Sequence, residues 1–97
     1  MGILVNGKPI DYSGLPAHMR EGFRLYFEHG VLPGSFGTAV LENDLMGALG
    51  KADEININRL KDYGMFLYNC VPSGSYGSRA LVQAWVEARQ QEEANYD

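Results

Sequence analysis

A chain of 97 residues, 45% hydrophobic and 21% charged, makes one ordinary globular domain and excludes the disordered class. Its formal net charge of −4, with eight Lys and Arg dispersed from Lys8 to Arg89, argues against a surface that tracks phosphates, so nucleic acid is not an expected partner. The single Cys70 excludes an internal disulfide and a CxxC zinc site, and no stretch reaches the roughly twenty apolar residues of a membrane helix. With no apolar leader in Met1 to Ile10, the expectation is a soluble protein of a reducing cytoplasm.

Residues 1–12 read as a short ribbon. Ile3, Leu4 and Val5 precede Asn6-Gly7, the strongest short hairpin signal, and Pro9-Ile10 follow. Such a ribbon is unstable alone and is expected to lie on helices. Ser13 is placed to cap a first helix, with Pro16 in its first turn. Met19, Phe23, Tyr26 and Phe27 then share one face, Arg24 and Glu28 form an i,i+4 pair, and Gly30 ends the helix in a left-handed conformation.

The stretch "VLPGSFGTAVLENDL" (Val31 to Leu45) is the part of the chain that most resembles a binding loop. Its residues also suit a connector. Pro33 opens a second helix, Ser35 and Thr38 cap locally, and Phe36, Ala39, Val40 and Leu41 supply an apolar face. Asn43 breaks this helix and caps a third, where Leu45, Met46, Ala48 and Leu49 are apolar before Gly50. Asp53 caps the next and longest helix, whose stripe is Ile57, Leu60, Gly64, Leu67 and Val71, widened by Tyr63, Phe66 and Cys70. Met65 and Tyr68 spread apolar character almost all round, which predicts a central helix or one with a second partner surface.

Pro72 ends that helix, "PSGSYGS" is loop, and Ser78 or Ser75 caps the last helix. There Leu81, Ala84, Trp85 and Ala88 form the buried face, with Val82 and Val86 beside it, and the polar tail 91–97 frays. The expected fold class is all-α: a compact bundle of about five helices in residues 13–90 with a short N-terminal β-ribbon, forming a single domain.

Tests for specific chemistry return little. Cys70 lies on an apolar helix side, where a free thiol behaves as a small hydrophobe. His18 and His29 are three helical turns apart and share no metal, and Glu42, Asp44, Asp53 and Glu54 lack calcium-loop spacing, so no metal or cofactor is expected. "GALGKAD" fails as a phosphate loop, because its spacing is short and Ala52 stands where a Ser or Thr would hold magnesium. "SGSYGSR" is a better anion candidate, with exposed backbone N–H groups and Arg79, although capping alone accounts for its serines. Gly37, Gly47 and Gly64 each cost about 1 kcal/mol inside a helix and point to tight helix crossings, with a pocket as the alternative.

The segment "LYFEHGVLPGSFGTAVLENDLMGALGKADEIN", with "FLYNCVPSGSYGS" and "ALVQAWVEAR", resembles small proteins encoded by bacteriophages and prophages. The likeness covers residues 15–88, departs at Gly37, where that pattern has a larger apolar residue, and leaves the ribbon outside. It implies an accessory gene product acting in the cytoplasm of a bacterial host. The expected function is then non-enzymatic binding of a host protein, as a counter-defence or host-modulating factor. The alternative is sequestration of a small anionic ligand, such as a signalling nucleotide, between the Ser35–Asp44 segment and the Tyr68–Arg79 loop. Candidate binding residues are Ser35, Thr38, Asn43, Asp44 and Tyr68, with Asn69, Ser73, Tyr76 and Arg79. The aromatic content for so small a helical layer also suggests a homo-oligomer.

Overall fold

Three phenyl and phenol rings on one face of a single helix organise the chain in the computed structural model, which describes residues 4–5 and 7–94. A two-stranded antiparallel ribbon, β1 (Leu4–Val5) and β2 (Lys8–Pro9), pairs Leu4 with Pro9 and Val5 with Lys8. Gly7 takes a φ of 79° in its turn, and Asn6 lies outside the described residues. Six helices follow: α1 (Ala17–His29), α2 (Gly34–Leu41), α3 (Leu45–Lys51), α4 (Glu54–Ile57), α5 (Leu60–Cys70) and α6 (Arg79–Ala94). The mostly helical class with an N-terminal ribbon is as the sequence predicts, and no helix of the described residues is long and apolar enough to cross a membrane.

The central helix is α1, and of the two readings the sequence allowed for the helix of Tyr68, a central place is not the one it takes. Phe23, Tyr26 and Phe27 are fully buried, with Met19 half-buried. Their rings meet those of two other helices: Phe23 lies 5.7 Å from Tyr63 of α5, Phe27 lies 5.9 Å from Phe66 of α5, and Tyr26 lies 6.5 Å from Trp85 of α6. Phe36 of α2 packs edge-on to Tyr63 at 5.2 Å. Each such pair adds about 0.5–1.5 kcal/mol beyond the area it buries. The ribbon leads into this cluster through Tyr12, whose ring lies 5.8 Å from Phe66.

Several helix ends differ from their sequence prediction. Ser13 caps nothing: the Arg20 guanidinium donates to the Leu15 and Ser13 carbonyls and closes the turn there, so α1 starts after Pro16 without a side-chain cap. Asn43 breaks α2 with a φ of 61°, but the cap of α3 is Asp44, whose carboxylate accepts from the Gly47 N–H at 2.9 Å. A cap needs an extended backbone, and the left-handed residue before it has none. Asp53 caps only the four residues of α4, since the chain breaks at Asn58 and Arg59 before α5 begins. Beyond that break α5 buries Tyr63, Phe66 and Leu67 and leaves Gly64 and Tyr68 exposed, and Ile57 at the end of α4 is exposed as well. The Tyr63 hydroxyl donates to the buried Asn56 amide oxygen at 2.6 Å and ties α4 to α5 across the break.

The longest helix is α6, and its buried side is Val82, with Trp85, Val86 and Arg89 half-buried; Leu81, Ala84 and Ala88 are exposed. It runs on to Ala94, past the predicted end at residue 90, because Glu93 meets His29 of α1 and Arg89 pairs with Glu92. Residues 95–97 of the expected tail lie outside the described residues. Gly30 ends α1 with a φ of 73° where α6 crosses. A Cβ there would stand 2.8 Å from Arg89 Cβ and from the Val86 carbonyl, so this is a crossing that only glycine allows.

Tyr26→Phe removes a fully buried hydroxyl that donates to the Ser75 carbonyl at 2.6 Å, and is expected to cost about 1–3 kcal/mol in urea unfolding. The Asp53 carboxyl is held below its ordinary 3.8 by the Asn56 N–H and by His18. Folding thus disfavours its protonation, and the stabilisation is complete above pH 3.8 and is lost as pH falls through the lower folded value. Urea titrations of Asp53→Asn and the wild type at neutral and acid pH are expected to converge as the pH drops below that point.

Candidate functional site

The loop from Val71 to Ser78 is fastened at both sides. The Tyr26 hydroxyl donates to the Ser75 carbonyl, and the Gly77 N–H donates to the Leu41 carbonyl at the end of α2 at 2.8 Å. Ser75 is buried, with its own hydroxyl donating to the Pro72 carbonyl, while Ser78 is the cap of α6 and accepts from the Leu81 N–H at 3.1 Å. These bonds set the start of α6 against the end of α2, and the two helices run on as the walls of a groove.

This groove is the larger of two surface depressions that flank α2, with a volume of about 830 Å³. Its floor is apolar, from Ala39, Val82 and Val86, with the exposed Leu32 at its margin. Ser35, Thr38 and Glu42 line the α2 wall; Arg79, Gln83 and Glu87 line the α6 wall at i, i+4 and i+8. Asp44 and Lys51, from the two ends of α3, complete the rim. Ser35 and Thr38 do not cap α2, which begins after Pro33 without a side-chain cap bond. Three carboxylates and two cations therefore border one apolar floor.

The second depression, a cleft of about 300 Å³ on the other side of α2, lies between α3 and α5. Val40, Leu45, Leu60 and Leu67 contribute its apolar wall, and Asn43, Tyr68 and Tyr76 its polar atoms. The Tyr63 hydroxyl also borders it, and burial pushes that group's pKa up, so it remains the donor to Asn56. Leu45 is 64% exposed and Tyr68 82% exposed.

The sequence predicted one surface, and the structure divides it. Ser35, Thr38 and Arg79 border the groove; Asn43, Tyr68 and Tyr76 border the cleft; Asp44 borders both. Asn69 belongs to neither. It sits on the ribbon side of α5, and its amide donates to the Met65 carbonyl one turn back. Ser73 is exposed in the loop and lines neither depression. Of the residues not singled out from sequence, Gln83 and Glu87 had a legible signal in their fourfold spacing from Arg79. Glu42 had the same signal in its fourfold spacing from Thr38, whereas Lys51 had none, because only the tertiary path of α3 brings it to the rim.

Other chemistry is occupied elsewhere. His18 meets Asp53 at 3.1 Å, His29 meets Glu93, and the half-buried Cys70 is near neither. No group of three metal-ligating side chains occurs among the described residues. The interior glycines separate into kinds. Gly37 accepts the Pro33 ring, which a Cβ would meet at 2.8 Å, and Gly47 sits against the capping Asp44 carboxylate. Gly64, on the cleft, has nothing within 4 Å of where a Cβ would stand.

Comparison of the chain with protein-family models, curated proteins and solved structures finds no match.

The separation of capping from rim residues is measurable. Ser78→Ala is expected to lower unfolding stability by about 1 kcal/mol through the lost α6 cap. Arg79→Ala, at an exposed rim position without an ion pair among the described residues, is expected to stay within about 0.5 kcal/mol of the wild type.

Proposed function

We propose that this chain is a non-catalytic binding protein that takes an amphipathic segment of a protein partner into the α2–α6 groove. The observation that carries this reading is the mixed-sign rim over an apolar floor. A helix or turn of a partner can lay apolar side chains on Ala39, Val82 and Val86 and offer both charge signs to the rim. Sequestration of a small anion fits this groove less well, since Glu42, Asp44 and Glu87 outnumber Lys51 and Arg79. The resemblance to phage and prophage proteins supports a bacterial cytoplasmic setting, with a host protein as the partner and counter-defence or host modulation as the outcome.

A photo-crosslinking residue placed at Gln83 in bacterial cells, with one at Lys8 as the control, tests the reading. The expected crosslink is specific to position 83, maps to an amphipathic stretch of one host protein, and is lost when Thr38→Trp fills the groove. The reading fails if positions 83 and 8 give the same crosslinks. It fails equally if calorimetry detects a nucleotide whose binding Thr38→Trp abolishes.

A further inference from the structure

We infer that the segment docking in the α2–α6 groove is an amphipathic helix anchored by one cationic side chain, which pairs with Glu42. This rests on the groove reading above and names the chemistry of the occupant. The starting point is a carboxylate with no counter-charge. Three carboxylate residues of the described chain are half-buried: Glu28, Glu42 and Asp62. Glu28 accepts from the Tyr12 hydroxyl and pairs with Arg24, and Asp62 pairs with Arg59. The Glu42 carboxylate has neither an ion pair nor a hydrogen-bond donor among the described residues.

The place of Glu42 makes that lack costly. It is the C-terminal cap of α2, where the carbonyl end of the helix dipole disfavours an anion. Asp44, two residues on and lining the same groove, adds a second negative charge. Half-burial removes part of the water that would solvate the carboxylate. Its charge also reaches into the core, where it helps to keep the Tyr26 hydroxyl protonated. Nothing in the fold offsets these costs: Arg79 and Lys51 line the groove, but both are exposed and reach no carboxylate among the described residues. A carboxylate so placed breaks a local rule without compensation from its own chain, which is the mark of a functional position. The compensation is a cation brought by the partner.

The groove sets the spacing that such a partner needs. Glu42 follows Ala39 of the apolar floor by three residues, about one turn along α2. A partner helix laid along the groove therefore needs an apolar side chain over Ala39 and a cation three or four positions away. Arginine suits the place better than lysine, because guanidinium is weakly hydrated and loses less on entering a half-buried site. Glu87, exposed on the α6 wall, is solvated and gains less from a cation than Glu42 does.

A displayed library of helical peptides, selected on the full chain and counter-screened on Thr38→Trp, tests this. Thr38→Trp, Glu42→Gln and Glu87→Gln are each expected to retain the helical circular dichroism. Groove-dependent peptides, those that Thr38→Trp no longer binds, are expected to carry Arg or Lys three or four positions from an apolar residue. Glu42→Gln is expected to weaken these peptides by about tenfold or more, and Glu87→Gln by less than about threefold. If no selected peptide depends on the groove, the groove reading falls and this inference falls with it. If groove-dependent peptides lack the cation, or bind Glu42→Gln as tightly as the wild type, this inference alone is overturned.

Discussion

The buried hydrogen bond from the Tyr26 hydroxyl to the Ser75 carbonyl is the constraint on which the two depressions depend. It joins residues 49 positions apart and holds the loop between α5 and α6 against the central helix. The same residue's carbonyl accepts from the Trp85 indole N–H at 3.2 Å and from the Gly30 N–H at 3.0 Å. Tyr26 thus fixes the loop before α6, the face that α6 buries and the end of α1. A shift of the loop would move Ser78, and with it the first turn of α6 and Arg79. Burial also pushes the Tyr26 hydroxyl's pKa up, assisted by the nearby Glu42 charge, which keeps the donor protonated.

Around that point, the aromatic rings of α1 divide the molecule into a packed side and an unpacked one. Phe23 and Phe27 gather α5 and α6 by ring contacts, Phe36 brings α2 in through Tyr63, and Leu15 and Leu41 close the ends of the cluster in full burial. Short helices of this kind hold only by such packing. α3 shares in it through Ala48 alone, so Leu45 and Met46 stay outside although they are as apolar as the core. An apolar side chain is buried only when an opposite face is present to receive it, and the core here was already filled by rings.

The candidate site was legible to the extent that its residues report on their own neighbours. Ser78 as a cap and Gly30 as a left-handed terminus follow from local backbone needs, and both are found. Asn43 was rightly read as a breaker, yet the adjacent Asp44 took the capping role because only one of the two could be extended. Asn69 failed as a site residue for a related reason. Its side chain satisfies the Met65 carbonyl, and it lies on the side of α5 that faces the ribbon. The division of one predicted surface into a groove and a cleft follows from α2 standing between them.

By itself the sequence determined the helical class, the ribbon, most helix termini and the aromatic face of α1, since each is a matter of spacing, caps and turn chemistry within a few residues. It also determined that cations would be few and dispersed, which shaped the character of any binding surface. Only the tertiary structure decided that α1 takes the central place, because its Phe23, Tyr26 and Phe27 rings meet those of both α5 and α6. Only the tertiary structure could show that Gly37 is filled by Pro33 whereas Gly64 is open. Both are helix glycines with the same local cost. What distinguishes them is whether a neighbour fills the space: Pro33, one turn back, and the Phe23 ring do so at Gly37, and nothing comes within 4 Å at Gly64.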